Sequence, residues 1–222
     1  MTTDIERYLN SLSEDITILD ISYRDIKSLP DLTRFKNLKI LHCSNNQLTS
    51  LPSLPQNLKI LYCFNNQLTS LLTLPQQLKI LDCSGNQLTL LPTLMQNLNI
   101  LYCFNNQLTS LPILPQKLKI LDCHYNELTS LPILPQNIVK FDCSKNPISK
   151  IVNSNILIKT KQNIQILNDF RDLYYCLKFK NQFRKWLWEK VREPNAKKLY
   201  DPIYLIEHLE HEDDLEAVLN NW

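Results

Sequence analysis

Apolar and polar positions recur along this chain at a fixed spacing. Leu38 opens the stretch LKILHCSNNQLTSLPSLPQN and Leu58 opens LKILYCFNNQLTSLLTLPQQ; the register returns at Leu78, Leu98, Leu118 and Ile138, 20 residues apart each time. A looser copy of 22 residues begins at Ile16, so seven copies cover residues 16–157. In one copy the apolar positions are Leu38, Leu41, Cys43, Leu48, Leu51 and Leu54. A lone coil cannot enclose them. Stacked coils bury them in one continuous core, each large side chain contributing roughly 1.5–3 kcal/mol. Around Leu41-His42-Cys43 the apolar spacing is two, which predicts a short strand. Parallel stacking then sets neighbouring strands about 4.8 Å apart. The second half of the copy, Leu51-Pro52-Ser53-Leu54-Pro55, carries two prolines. Proline blocks helix and favours an extended or polyproline return, so the convex side should hold little or no helix and the stack should curve strongly. Leu72 and Met95 replace prolines and should loosen the pattern only locally.

The pattern changes at both ends. Within residues 1–15, Ile5, Tyr8, Leu9 and Leu12 have helical spacing, which predicts a short amphipathic cap over the first coil. After Ile151 the repeat fails, and residues 158–222 read as a C-terminal helical region. Residues 163–192 are rich in apolar side chains and lack Gly and Pro, which predicts one long helix or two with a break near Asn181. Pro194 and Pro202 bracket a turn, and shorter helices follow over 203–210 and 213–220, with Asp213 and Asp214 in the last one's first turn. Charge is uneven here. Lys178, Lys180, Arg184, Lys185, Lys190 and Arg192 face only Glu189 within 178–192, whereas 201–216 is acidic without Lys or Arg. The simpler account folds the acidic helices back onto the basic one. The sharper account makes FRKWLWEKVRE a basic amphipathic element for a membrane or nucleic acid.

Composition narrows the functional classes. Gly85 is the only glycine, so phosphate-cradling glycine loops cannot be built; turns must come from Asn and Pro. With 24 basic against 22 acidic residues there is no global pull toward nucleic acid or membrane. The first residues lack the basic start and apolar run of a signal peptide, and no apolar stretch reaches about 18 residues. A soluble, intracellular, cytoplasmic protein without a membrane span is expected.

Two polar columns accompany the leucines. Asn46, Asn66, Asn86, Asn106, Asn126 and Asn146 share one position, where an amide both donates and accepts at the turn after the strand. The first copy has Arg24 there, so its turn must be built differently. Cys43, Cys63, Cys83, Cys103, Cys123 and Cys143 share another. Side chains in register on parallel strands sit wider than the roughly 3.8 Å between Cβ atoms that a disulfide prefers. A straight ladder also does not converge tetrahedrally on zinc. The cysteines therefore read as small core residues in a reducing compartment, with no metal. Cys176 stands outside the ladder, in a predicted helix with no histidine near it in sequence.

If Leu41 and Cys43 point inward, residues 40, 42 and 44 line the concave face. Three columns follow: Ile18, Ile40, Ile60, Ile80, Ile100, Ile120 and Lys140; Asp20, His42, Tyr62, Asp82, Tyr102, Asp122 and Asp142; Ser22, Ser44, Phe64, Ser84, Phe104, His124 and Ser144, flanked by Asn45, Asn65, Asn105 and Tyr125. Exposed aromatic anchors with carboxylates between them suit a protein partner. Tyr62, Phe64, Tyr102 and Phe104 are the expected hot spots, with Asp82, Asp122, His124 and Tyr125 as polar contacts. The copies at 58 and 98 are almost identical, so duplication of a 40-residue pair would produce the same alternation without selection for a ligand. Aromatics also stack bases, but the aspartates repel phosphate, and no nucleic acid is expected. No catalytic residues are expected: His42 and His124 lie four coils apart and no Ser-His-Asp order appears.

Each copy fits L-x-x-L-x-C-x-x-N-x-L-x-x-L-P-x-L-P, which resembles the leucine-rich repeat with Cys in its third apolar slot. The short length and the L-P-x-L-P half look like the 20-residue class of secreted bacterial effectors and of giant DNA viruses of amoebae. The tail RKWLWEKVREPNAKKLYDP, with its acidic end, is similar to a segment at the C-termini of giant-virus proteins. The resemblance implies an α/β right-handed solenoid, parallel strands on its concave face and a Pro-rich extended convex side, followed by α-helix. It implies a non-enzymatic scaffold without cofactor that binds a host or viral protein, placed in the host cytoplasm if viral. An alternative is an adaptor or effector acting in the host ubiquitin pathway through the C-terminal helices. Bacterial effectors with these repeats often continue into a ubiquitin-ligase domain with a catalytic cysteine. That domain is far larger than the residues left here, and Cys176 is followed by Leu177-Lys178-Phe179 rather than an acidic pattern.

Overall fold

A computed structural model describes residues 4–152 and 157–178. Two compact units divide the chain, residues 1–168 and 169–222. The first begins with helix α1 (Asp4–Asn10), followed by seven three-residue strands: β1 (Ile18–Asp20), β2 (Ile40–His42), β3 (Ile60–Tyr62), β4 (Ile80–Asp82), β5 (Ile100–Tyr102), β6 (Ile120–Asp122) and β7 (Lys140–Asp142). They form a single parallel sheet in sequence order. Each strand pairs with the next in the register of the repeat, Ile40 with Ile60, Leu41 with Leu61 and His42 with Tyr62. The fixed spacing of the sequence thus becomes a fixed spacing of coils.

Leu38, Leu41, Cys43 and Leu48, and their equivalents in the next four coils, are almost wholly buried in one core cluster. Leu51 and Leu54 close the core from the return side. No helix forms in the returns of the first six coils, each of which carries one or two prolines. The seventh copy departs from this. It lacks both prolines of the return, and after Pro147 the chain turns into a short helix, α2 (Ser149–Val152), started by a Ser149 hydroxyl that donates to the Asn146 carbonyl at 2.7 Å.

The asparagine column staples coil to coil. The Asn66 Nδ2 donates to Cys43 O of the preceding coil (3.0 Å) and to Cys63 O of its own (3.1 Å), while Oδ1 accepts the Leu48 N–H at 3.0 Å. Coil one, with Arg24 in this position, borrows Asn46: its Oδ1 accepts from Arg24 N at 3.0 Å and Ile26 N at 3.1 Å. The residue before each asparagine is left-handed: Asn45, Asn65, Asn105, Tyr125 and Lys145 have φ between 50° and 56°. The lone glycine takes its turn in that column, Gly85 at φ 61°. A Cβ there would also stand 2.3 Å from the Asn65 Oδ1.

Both ends of the stack are covered. The Arg24 guanidinium lies 4.3 Å from the centroid of the Tyr8 ring of α1, and Arg34 bonds Leu9 O and Asn10 Oδ1. At the other end, helix α3 (Leu157–Lys178) buries Thr160, Ile164 and Asn168, and the Asn168 Nδ2 donates to Leu131 O at 3.2 Å. The helix starts six residues before the expected 163, because its buried face is half polar and does not declare itself as apolar periodicity. The expected break near Asn181, the turn between Pro194 and Pro202, the helices at 203–210 and 213–220 and the pairing of basic with acidic segments lie outside the described residues. Among the described residues no helix is long and apolar enough to cross a membrane.

Candidate functional site

Strand alternation builds the concave face. In β2 to β6 the middle residue is buried and the outer two are half-buried, so 60 and 62, 80 and 82, 100 and 102, 120 and 122 stand on the open side while Leu61, Leu81, Leu101 and Leu121 fill the core. Tyr62, Phe64, Asp82, Tyr102, Phe104, Asp122 and His124 are all half-buried, and Tyr125 is exposed. The serines of the third column differ from the expectation: Ser44 and Ser84 are 2% and 3% exposed. Each precedes by one coil a phenylalanine at the same repeat position, Phe64 or Phe104.

The eight expected residues fall into two groups. At the N-terminal end Tyr62 packs on His42, ring centroids 4.7 Å apart. Phe64 joins His42, Ser44, Asp20, Ser22 and Arg24 around an open cavity of about 480 Å³. Ser22 N–H donates to the Asp20 carboxylate at 3.0 Å and holds that carboxyl below its ordinary range. At the C-terminal end Phe104 stacks on His124 (4.6 Å, 14° between planes), and His124 meets the Tyr125 ring edge-on at 5.4 Å. The His124 Nδ1 lies 2.5 Å from Asp122 Oδ1. Tyr102 sits between Asp82 and Asp122 by register. Asp82 is bonded by the Ser84 hydroxyl at 2.5 Å, yet burial pushes its carboxyl up, with the charge of Asp122 adding to the effect.

Sequence reasoning left out His42, Asp20, Arg24 and Asp142. The signal for His42, Asp20 and Asp142 was their place in the second column; for Arg24, nothing in the linear pattern marks the reach to Tyr8. Asp122, His124 and Asp142 each bring one ligand atom within 4.8 Å of the others, a group able to hold a metal ion. The cysteine ladder offers no comparable chemistry. All six thiols are free and buried. Burial pushes Cys43 and Cys143 up to about 12 and the four between them up as well. The Cys43 and Cys83 Sγ atoms lie 3.5 Å from the carbonyls of Tyr62 and Tyr102 in the following coils, and Cys123 Sγ 3.3 Å from that of Asp142.

A model of the Leucine Rich Repeat family matches residues 37–58 and 77–98. The fold is similar to the leucine-rich-repeat domain of a Shigella effector, with 35% identity, a TM-score of 0.58, and coverage of 67% of this chain and 68% of that one. It is also similar to YopM, a leucine-rich effector protein of Yersinia pestis, with 34% identity, a TM-score of 0.52, and coverage of 59% of this chain and 43% of that one. The chain therefore spans less than half the length of the Yersinia protein. Among curated proteins no relative matches.

Proposed function

Because this chain belongs to the leucine-rich-repeat family, with repeats of about 20 residues like those of bacterial effector domains, we propose that it is a non-enzymatic scaffold that binds a partner protein on its concave face. The observation that carries this reading is the paired aromatics, Tyr62 with Phe64 and Tyr102 with Phe104, half-buried at the ends of β3 and β5 and two residues beyond, and separated by the acidic Asp82 position. Anchors of this kind lose little entropy on binding, because coil-to-coil hydrogen bonds already fix the backbone around them and His42 and His124 pack on the rings of Tyr62 and Phe104. Asp82, Asp122, His124 and Tyr125 supply polar contacts between and beyond them. The six free thiols suit a reducing compartment, and with the resemblance to giant-virus repeats we place the protein in a host cytoplasm, its partner a host or viral protein.

The test is a side-by-side affinity purification from host cells. One bait changes Tyr62, Phe64, Tyr102 and Phe104 to Ser; a control bait changes the exposed convex residues Ile113 and Ile133 to Ser. The concave variant should lose at least about a hundredfold in affinity for the recovered partner, since a single hot-spot truncation costs ~2 kcal/mol or more. The convex variant should keep wild-type affinity. Equal recovery with the concave variant, or loss with the convex one, would place the interface elsewhere.

A further inference from the structure

We propose that Asp122, His124 and Asp142 form a binding site for one divalent transition-metal cation, with Zn²⁺ as the ion its donors suit, at the C-terminal end of the concave face. One ligand atom from each residue lies within 4.8 Å of the other two. Three further features point to a cation.

The first is electrostatic. Asp122 and Asp142 face each other in register across β6 and β7, and like charges directly opposite destabilise a sheet. Among the described residues no Lys or Arg comes within ion-pair distance of either carboxylate; His124 on Asp122 is the one ion-pair contact. The second is pre-organisation. The His124 ring is held between the stacked Phe104 face and the Tyr125 edge, so its nitrogen is presented without a rotamer search. The third is the surrounding field. Asp82, whose carboxyl is pushed up by burial first and by Asp122 second, adds a third acid on the same face.

The chemistry is simple ligand exchange. Two carboxylates and a neutral imidazole bind Zn²⁺ at about 2.0–2.2 Å per ligand. The cation takes the place of the contact between His124 Nδ1 and Asp122 Oδ1, 2.5 Å apart, and whatever proton the ligand atoms carry is released to solvent on binding. Three protein ligands leave a fourth position, which opens onto the groove because all three residues are half-buried there. Water fills it in the isolated protein. The site stands without the partner-binding reading, and either can fail alone.

The experiment titrates the purified, untagged full-length chain with Zn²⁺ by calorimetry and with Co²⁺ by visible absorption. One ion per chain is expected, with oxygen–nitrogen Co²⁺ bands. Asp142→Asn and His124→Phe should each weaken binding by more than about a hundredfold, beyond the roughly 10–100-fold that loss of a residue that only orients a ligand costs. Both variants should stay folded: Asn keeps an acceptor for the Ser144 N–H that Asp142 now accepts at 2.8 Å, and Phe keeps the stack on Phe104. Glu127→Gln, an exposed acid on the same coil, should leave affinity unchanged. No binding by the wild type, wild-type affinity in both ligand variants, or a thiolate-to-cobalt charge-transfer band placing the ion on cysteine would each overturn the proposal.

Discussion

Asn86 serves two coils with one amide. Its Nδ2 donates to Cys63 O at 3.1 Å and Cys83 O at 3.0 Å, and its Oδ1 accepts the Leu68 N–H at 3.0 Å, all in buried surroundings. Asn86→Ala strands these backbone groups, and each unsatisfied buried group costs about 1–3 kcal/mol. A loss on the order of 3 kcal/mol in urea unfolding is expected. Asn86→Asp should be no better, because a carboxylate keeps the acceptor but sets a buried charge against two carbonyls. Asp82 works in the opposite sense. Burial raises its carboxyl above the ordinary 3.8, so the native state holds that proton more tightly than the unfolded chain does. The resulting stabilisation is complete below the unfolded value and is lost as pH rises through the folded one. At neutral pH the ionised Asp82 therefore opposes folding. Asp82→Asn keeps an acceptor for the Ser84 N–H, now bonded at 3.1 Å, and should raise the melting temperature at neutral pH. The gain should shrink on acidification below the ordinary carboxylate range. A gain that grows on acidification would contradict the sign. A carboxylate held at such a cost on an open face is one that a partner's cation can relieve.

At the scale of elements, what was legible was whatever the 20-residue period repeats. Strands and extended returns follow from alternation, which recurs in every regular coil, and from the prolines, of which each regular coil carries one or two. The left-handed turn was half legible: Asn45, Asn65, Gly85 and Asn105 are residue types that accept positive φ, but Tyr23, Tyr125 and Lys145 take the same conformation and hide it. The caps were least legible, because they occur once. Helix α3 turns Thr160, Ile164 and Asn168 inward, and two of these three are polar, so apolar spacing cannot find its start. What orders that face is tertiary: the last coils leave carbonyls such as Leu131 O and Gln136 O open, and Asn168 and Lys161 fill them at 3.2 and 3.0 Å. Helix α2 follows the same logic. The seventh copy ends without the proline pair, and the chain satisfies its own carbonyl at Asn146 with Ser149 instead.

Across the whole stack, the candidate face was legible as columns but not as contacts. Side-chain alternation assigns Tyr62 or Asp122 to the open side; it does not say that Phe104 will stack on His124, 20 residues away, or that Asp142 in the degenerate last copy will stand beside Asp122. The thiol ladder shows how the coils depend on one another. Each repeat touches only its neighbours, so stability is a sum of coil and interface terms rather than one indivisible quantity. Six coils carry one buried cysteine each, with thiols pushed up by burial, to about 12 for Cys43 and Cys143. Alkylation needs an accessible thiolate, so each cysteine reacts only when its own coil opens. Pulse alkylation under mild denaturant, read by peptide mass spectrometry, should label Cys143 and Cys43 before Cys83 and Cys103, because the stack frays inward from its ends and the central coils open last. A single rate for all six would mean that the solenoid opens as one unit. Asn86→Ala separates the cases further. It weakens the junction between the coils of Cys63 and Cys83, and should speed labelling at those two sulfurs while Cys123 and Cys143 keep their wild-type rates.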